Sequence, residues 1–126
     1  MRVLDYKKWE KGEKLSKSGK NKLQAQYIRL IKSNNRKIKR VALCTGAGGS
    51  LLEQVNCKKV DLYITGDITY HAALRAKELG LNVLDIEHFD TEKFFGEALY
   101  NQLIKLGIPQ DILIKSKKME SPYKLL

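Results

Sequence analysis

The chain has 126 residues, 43% of them apolar, with 24 Lys plus Arg against 14 Asp plus Glu and a net charge of +10. That describes one globular domain, able to bury roughly two-thirds of its unfolded surface and too short for two full domains. Two cysteines, Cys44 and Cys57, exclude a disulfide framework and a cysteine-based zinc module.

Residues 1–37 read as a basic, partly disordered segment with a short helix. Residues 1–21 mix lysines with Gly12, Ser16, Ser18 and Gly19 and offer little to bury. Leu23, Tyr27, Leu30 and Ile31 then fall at i, i+4, i+7 and i+8, which predicts a helix ending in Ser33-Asn34-Asn35. The charge excess lies here: residues 1–39 hold 13 Lys plus Arg against 3 Asp plus Glu, while residues 40–126 hold 11 of each sign. Tyr6, Trp9 and Tyr27 are too scattered to interleave with these cations, so nucleic acid is disfavoured as a partner. No run approaches the roughly 18 apolar residues that cross a bilayer, and residues 1–22 lack the apolar centre of a leader. The expectation is a soluble, cytoplasmic protein with free thiols and no membrane contact.

From residue 38 to 126 the pattern changes to short β-rich runs alternating with helical ones. Val41-Ala42-Leu43-Cys44 leads into Thr45-Gly46-Ala47-Gly48-Gly49 and a helix from about Ser50; residues 60–65 lead into Gly66-Asp67 and a helix to Leu79, stopped by Gly80. Residues 81–86 form a third strand. From Thr91, the residues Phe95, Ala98, Leu99, Leu103 and Leu106 mark one helix face, closed by Gly107 and Pro109, and residues 111–114 supply a short last strand. The alternation predicts right-handed crossovers and an α/β fold, a mainly parallel sheet with helices packed on it.

Sites on such sheets form beyond the carboxyl ends of the strands. The segments leaving that edge, residues 45–50, 66–71 and 87–92, hold both histidines of the chain. The loop with Gly46, Gly48 and Gly49 either lets backbone N–H groups approach an anion or is a tight strand-to-helix turn. Leu51 stands where the G-x-G-x-x-G pattern requires glycine, which disfavours a nicotinamide or flavin cofactor. His88 and Glu92 form an H-x-x-x-E pair that can hold a divalent metal; the alternative is Glu92 stabilising a helix N-terminus, with Asp90 as its N-cap. Asp67 either caps the next helix or faces the site with His71, which could bind substrate, shuttle a proton or only hydrogen-bond a backbone carbonyl. Cys44, at the end of a buried strand, reads as a packed thiol.

The stretches at 41–50, Asp61-Leu62-Tyr63-Ile64-Thr65-Gly66-Asp67-Ile68-Thr69-Tyr70-His71, Leu81-Asn82-Val83 through His88, and Thr91-Glu92-Lys93-Phe94 resemble the Nif-three-like family, whose members are often named GTP cyclohydrolase I type 2 homologues. The ending Ser121-Pro122-Tyr123 is similar as well, so the resemblance covers about residues 38–126 and corresponds to the family's C-terminal part. It implies a homo-oligomer, a hexameric ring in the family, with a dinuclear metal centre in each subunit. Zn, Fe and Mn are not distinguished. It further implies His88 and Glu92 as metal ligands, Gly46, Gly48, Gly49, Asp67 and His71 as substrate-binding or supporting residues, and hydrolysis of a nucleotide-like small molecule. The family's other half supplies adjacent histidines and an aspartate. This chain has no His-His pair, and residues 1–37 do not resemble that half. Two ligands leave most positions of a dinuclear centre to water or to another chain, so the site is expected to be incomplete as it stands. The competing expectation is a non-catalytic binding or regulatory assembly module with a basic tail.

Overall fold

The computed structural model describes residues 1–10 and 24–124. Among the described residues, five strands form one sheet: β1 (Arg2–Glu10), β2 (Ile28–Ile31), β3 (Ile38–Ala47), β4 (Leu62–Gly66) and β5 (Asn82–Ile86), in the spatial order β1-β3-β4-β5-β2. The central β3, β4 and β5 are parallel, and both outer strands run antiparallel to their neighbours. The expected α/β architecture is therefore present, as a mixed sheet that is parallel in its core.

The helices of the described residues are α1 (Leu52–Cys57), entered through a 3-10 turn at Gly49–Leu51, α2 (Tyr70–Glu78), α3 (His88–Glu92) and α4 (Phe95–Lys105). Alternation along the central strands sends Tyr63 and Val83 to one face and Leu62, Leu84 and Ile86 to the other. The first face buries Leu52 and Val55 of α1 and Ala76 of α2, with Ala42, Ile68 and Leu81. Each fully buried Leu or Val there contributes about 1.5–3 kcal/mol relative to exposure. The second face packs Ile38, Val41, Leu62, Leu84 and Ile86 with Ala25, flanked by Ile28 and Leu30.

The helix expected over residues 23–31 is instead strand β2. Gln24 has φ +50°, which interrupts a helix entering from Leu23. β5 is buried at all five positions, so its outer N–H and C=O groups require partners, and β2 supplies them with Ile28, Arg29, Leu30 and Ile31 opposite Ile86, Asp85, Leu84 and Val83. The residues expected to be poorly ordered at the start likewise include β1, which closes the other side of the sheet with Val3 opposite Ala42 and Leu4 opposite Val41. One sheet thus joins segments on both sides of residue 38; the part of the expected disordered segment at 11–23 lies outside the described residues.

At the other end, the strand expected over 111–114 is a 3-10 turn at Gln110–Ile112. Among the described residues this segment has no ladder partner, and it runs along α4, where Leu113, Lys115 and Met119 share a cavity with Leu99 and Leu103 and where Lys115 pairs with Glu97. The single helix expected from Thr91 is divided into α3 and α4. Among the described residues, no helix is long and apolar enough to cross a membrane.

Candidate functional site

The site lies at the carboxyl edge of the parallel strands. β5 ends at Ile86, and Glu87 caps α3, its carboxylate accepting the Asp90 N–H at 3.1 Å. The cap is thus Glu87, three residues before the expected Asp90. Asp90 is itself buried, accepting the Gln26 N–H at 2.9 Å and Lys93 Nζ at 2.9 Å, which ties α3 to the chain entering β2. His88 and Glu92 are the first and last residues of α3, one turn apart on the same face, with Nε2 and Oε2 3.1 Å apart.

The β4 exit supplies the third side chain. Asp67 has φ +53°, a left-handed conformation that Asp tolerates better than most residues, and its Oδ2 lies 2.6 Å from His88 Nδ1. Asp67 is therefore no helix cap. That role falls to Thr69, whose hydroxyl accepts the Ala72 N–H at 3.2 Å. Two carboxylates therefore flank the one imidazole, Asp67 at Nδ1 and Glu92 at Nε2. The Asp67 hydrogen bond raises the His88 pKa above the ordinary imidazole value; partial burial works against it and the Glu92 charge adds to it.

The β3 exit brings the backbone against this pair. Gly46, at φ +67°, has space for no side chain: a Cβ there would lie 2.6 Å from Glu92 Oε1 and 3.1 Å from His88 Nε2. Its N–H donates to Thr91 Oγ1 at 2.9 Å, its carbonyl accepts from Thr65 Oγ1 at 3.1 Å, and Thr91 Oγ1 donates to the His88 carbonyl at 2.7 Å. Gly48 is packed just as closely against the Tyr63 and Thr65 hydroxyls. Its carbonyl accepts from Tyr63 Oη at 3.0 Å and its N–H donates to the Gly66 carbonyl at 3.4 Å. Burial pushes the Tyr63 pKa up to about 12, keeping that hydroxyl a donor. With the Gly46 and Gly48 N–H groups already engaged inside the protein, the loop offers neither of them to an anion. It is a tight turn whose missing side chains admit the His88–Glu92 pair. At Gly49 a Cβ would make only ordinary contacts with Ala72 and Ile68.

The structure thus gathers Gly46, Asp67, His88 and Glu92, with Gly48 behind them. His71 does not join: it is exposed on the first turn of α2, its ring edge-on to Tyr70 at 5.7 Å, and among the described residues it forms no hydrogen bond to Asp67, His88 or Glu92. Cys44 is a half-buried free thiol, as expected. Sequence reasoning missed Thr91, Thr65 and Tyr63, although Tyr63 and Thr65 are an alternate-position polar pair on an otherwise apolar strand. It also missed Asp85, buried on β5, which accepts from Arg29 Nε at 2.8 Å and from the Ile68 N–H at 3.4 Å, while Arg29 donates to the Ile68 carbonyl at 3.1 Å. Burial raises the Asp85 pKa and the Arg29 charge opposes the rise.

Among the described residues, no group of three or more His, Cys, Asp or Glu side chains is arranged to hold a metal ion. His88 and Glu92 present two donors, and Asp67 is occupied at Nδ1. Two cavities flank Glu92, one of about 600 Å³ lined by Thr45, Thr91, Phe94, Phe95 and Met119 and one of about 310 Å³ reached by Asp67, His88, Lys93 and Tyr123.

Comparison with known proteins reveals the lineage of this arrangement. The family model described as Duf34/NIF3 (NGG1p interacting factor 3) matches residues 1–121. The chain belongs to the Duf34/NIF3 family. A Campylobacter jejuni protein named GTP cyclohydrolase 1 type 2 homolog is 35% identical over 104 residues, covering 82% of this chain and 41% of the relative. The yeast NGG1-interacting factor 3 is 31% identical over 110 residues, covering 82% of this chain and 38% of the relative. In structure, the chain superposes on the Staphylococcus aureus protein SA1388 with a TM-score of 0.85 at 29% identity, covering 98% of this chain and 36% of that one. The chain therefore spans about two-fifths of the length of these NIF3 relatives. The match from residue 1 also brings β1 and β2 into the family's fold.

Proposed function

We propose that this chain contributes His88 and Glu92 as ligands to a divalent metal site, within a larger NIF3 assembly that hydrolyses a nucleotide-like substrate. The observation that carries the reading is the geometry of one imidazole. His88 Nδ1 is held at 2.6 Å by Asp67, and Nε2 is turned to the Glu92 carboxylate at 3.1 Å. A carboxylate on the far ring nitrogen fixes the tautomer and raises the basicity of a metal-binding His. Imidazole with carboxylate is a donor set that suits Zn, Fe or Mn, which take about four or more ligands, so the pair fits as part of a site and the remaining donors come from outside this chain.

A divalent cation held there would supply Lewis-acid polarisation of a substrate oxygen. The chain's own residues do the rest of the local work. Asp67 orients His88, Glu92 offers negative charge at the rim, and Gly46 lets the backbone close behind both. We also propose that the chain associates with copies of itself. No residue of α4 is buried, and Leu106, Ile112 and Ile114 remain 69%, 66% and 95% exposed along it and after it. Calorimetric titration with Zn²⁺, Mn²⁺ and Fe²⁺ tests the metal reading: binding is expected in the wild-type chain and lost in a His88→Ala, Glu92→Ala double variant. Unchanged binding in that variant would overturn the assignment. Light scattering tests the association, with Leu106→Lys expected to lower the mass.

A further inference from the structure

We propose that the groove between the outer edge of β2 and helix α2 binds an extended, acidic peptide of a partner protein, which adds to the sheet as a further strand. None of the residues lining this groove belongs to the His88–Glu92 site.

Backbone chemistry is the first reason. β2 ends the sheet, and among the described residues it pairs with β5 alone. An antiparallel ladder engages every second residue of an edge strand and turns the N–H and C=O groups of the others outward. Those outward groups match an extended chain. The second reason is the wall beside them. Tyr70, Ala73, Leu74 and Lys77 fall at i, i+3, i+4 and i+7 on one face of α2, and with Leu30 and Ile31 of β2 they line a cavity of about 360 Å³. Tyr70 is 73% exposed and Leu74 43%, although α2 packs into the core through Ala76. Strand and helix run in the same direction: Arg29 near the start of β2 donates to the Ile68 carbonyl ahead of α2 at 3.1 Å, and Ser33 just past β2 donates to the Leu81 carbonyl beyond α2 at 2.8 Å. A strand laid on β2 would therefore pass along the α2 wall and send alternate side chains towards it. Strand addition of this kind takes affinity from main-chain hydrogen bonds and specificity from such pockets.

Charge selects the occupant. The charged side chains lining the groove are Lys32 and Lys77, both at the end where β2 and α2 finish, and among the described residues no Asp or Glu lines it. Glu78, next to Lys77 in sequence, is paired with Arg75 at 2.9 Å. A carboxylate is thus favoured at the lysine end and an apolar side chain at the Tyr70 end. The chain's net charge of +10 favours an acidic partner over a second copy in the same place. Antiparallel addition, the more stable pairing, puts the acidic residues at the N-terminal end of the bound segment.

The test titrates the ¹⁵N-labelled protein with a short peptide of two glutamates followed by alternating valine and threonine. Saturable amide shifts are expected, confined to residues 28–32 and 70–77, with or without Zn²⁺. N-methylation of the peptide amides that face β2 should abolish them, and a peptide with lysines in place of the glutamates should bind about fivefold more weakly, as for a lost exposed ion pair. Lys77→Glu should reverse the preference between the two peptides. Leu74→Glu should abolish binding and leave the mass in light scattering unchanged; if it alters the fold, the exposed Lys77→Glu change still decides. The proposal is overturned by absence of saturable shifts, by shifts centred elsewhere, or by binding indifferent to N-methylation or to Lys77→Glu. A lower mass for folded Leu74→Glu would also overturn it and make the groove a contact between copies.

Discussion

Replacing Gly46 with alanine isolates how closely β3 is fitted to the His88–Glu92 pair. Two costs add. Gly46 sits at φ +67°, where an L-residue loses about 1–2 kcal/mol. The new Cβ would also stand 2.6 Å from Glu92 Oε1 and 3.1 Å from His88 Nε2, and must push the carboxylate off its rotamer at about 0.5–1.5 kcal/mol more. Gly80 provides the control, because it has the same φ of +67° and nothing within 4 Å of its imagined Cβ. Gly80→Ala should therefore cost the conformational part alone. In urea melts, Gly46→Ala should lose about 1.5–3.5 kcal/mol in all, exceeding Gly80→Ala by about 0.5–1.5 kcal/mol. The same variant should weaken Zn²⁺ binding, and Gly80→Ala should not. Equal destabilisation of the two variants, with Zn²⁺ affinity intact in both, would refute the claim that Gly46 is shaped by His88 and Glu92.

Asp67→Asn should lower Zn²⁺ affinity by about 10–100-fold, the usual effect of losing a carboxylate behind a metal-binding His, as measured by calorimetry. In the metal-free chain, the raised His88 pKa means its contribution to stability is fully present below the ordinary imidazole value and is lost as pH rises through the folded value; an NMR titration should show His88 titrating above the ordinary imidazole value. Because the proton and the metal compete for Nε2, Zn²⁺ affinity should fall as pH drops through that same raised value. Arg29→Ala leaves Asp85 buried beneath a lost partner and should cost about 3 kcal/mol in urea melts, at the low end for a buried pair because Arg29 is itself 58% exposed. Asp85, raised by burial, likewise favours the fold below the ordinary carboxyl range and loses that contribution as pH rises through its folded value, so the Arg29→Ala deficit should shrink in acid.

What could be read from the residues depended on whether the structure was local. The β3, β4 and β5 strands and their following helices announce themselves through short apolar runs and adjacent Gly or Thr signals, and the i, i+4 spacing of His88 and Glu92 needs only one helical turn to bring them together. β2 was illegible for the opposite reason: Leu23, Tyr27, Leu30 and Ile31 satisfy a helical period, and only the exposed edge of β5, more than fifty residues away, makes the extended form the better one. The Asp67–His88 contact is also nonlocal, and a carboxylate before a helix reads more readily as a cap than as a partner for a ring 21 residues on. The glycine loop was misleading in a third way. Its composition fits an anion cradle, but the donors are consumed by Thr91 and the Gly66 carbonyl, which sequence does not disclose.

The edge strand and the His88 imidazole are linked by contiguous contacts. Arg29 of β2 holds Asp85, and both hold the backbone of Ile68, the Asp by its N–H and the Arg by its carbonyl. Ile68 is the residue after Asp67, whose left-handed backbone aims its carboxylate at His88. Gln26, two residues before β2, donates its N–H to Asp90 in the middle of α3, the same helix that carries His88 and Glu92. The segment at 24–31 thus fixes both the carboxylate beside His88 and the helix that carries His88 and Glu92. Arg29→Ala should consequently weaken Zn²⁺ binding as well as stability, while Arg29→Lys, which keeps the charge but not the forked donors, should recover stability more fully than affinity. A variant at Arg29 that lowers stability and leaves Zn²⁺ affinity untouched would mean that Asp67 holds its position through its own backbone turn alone.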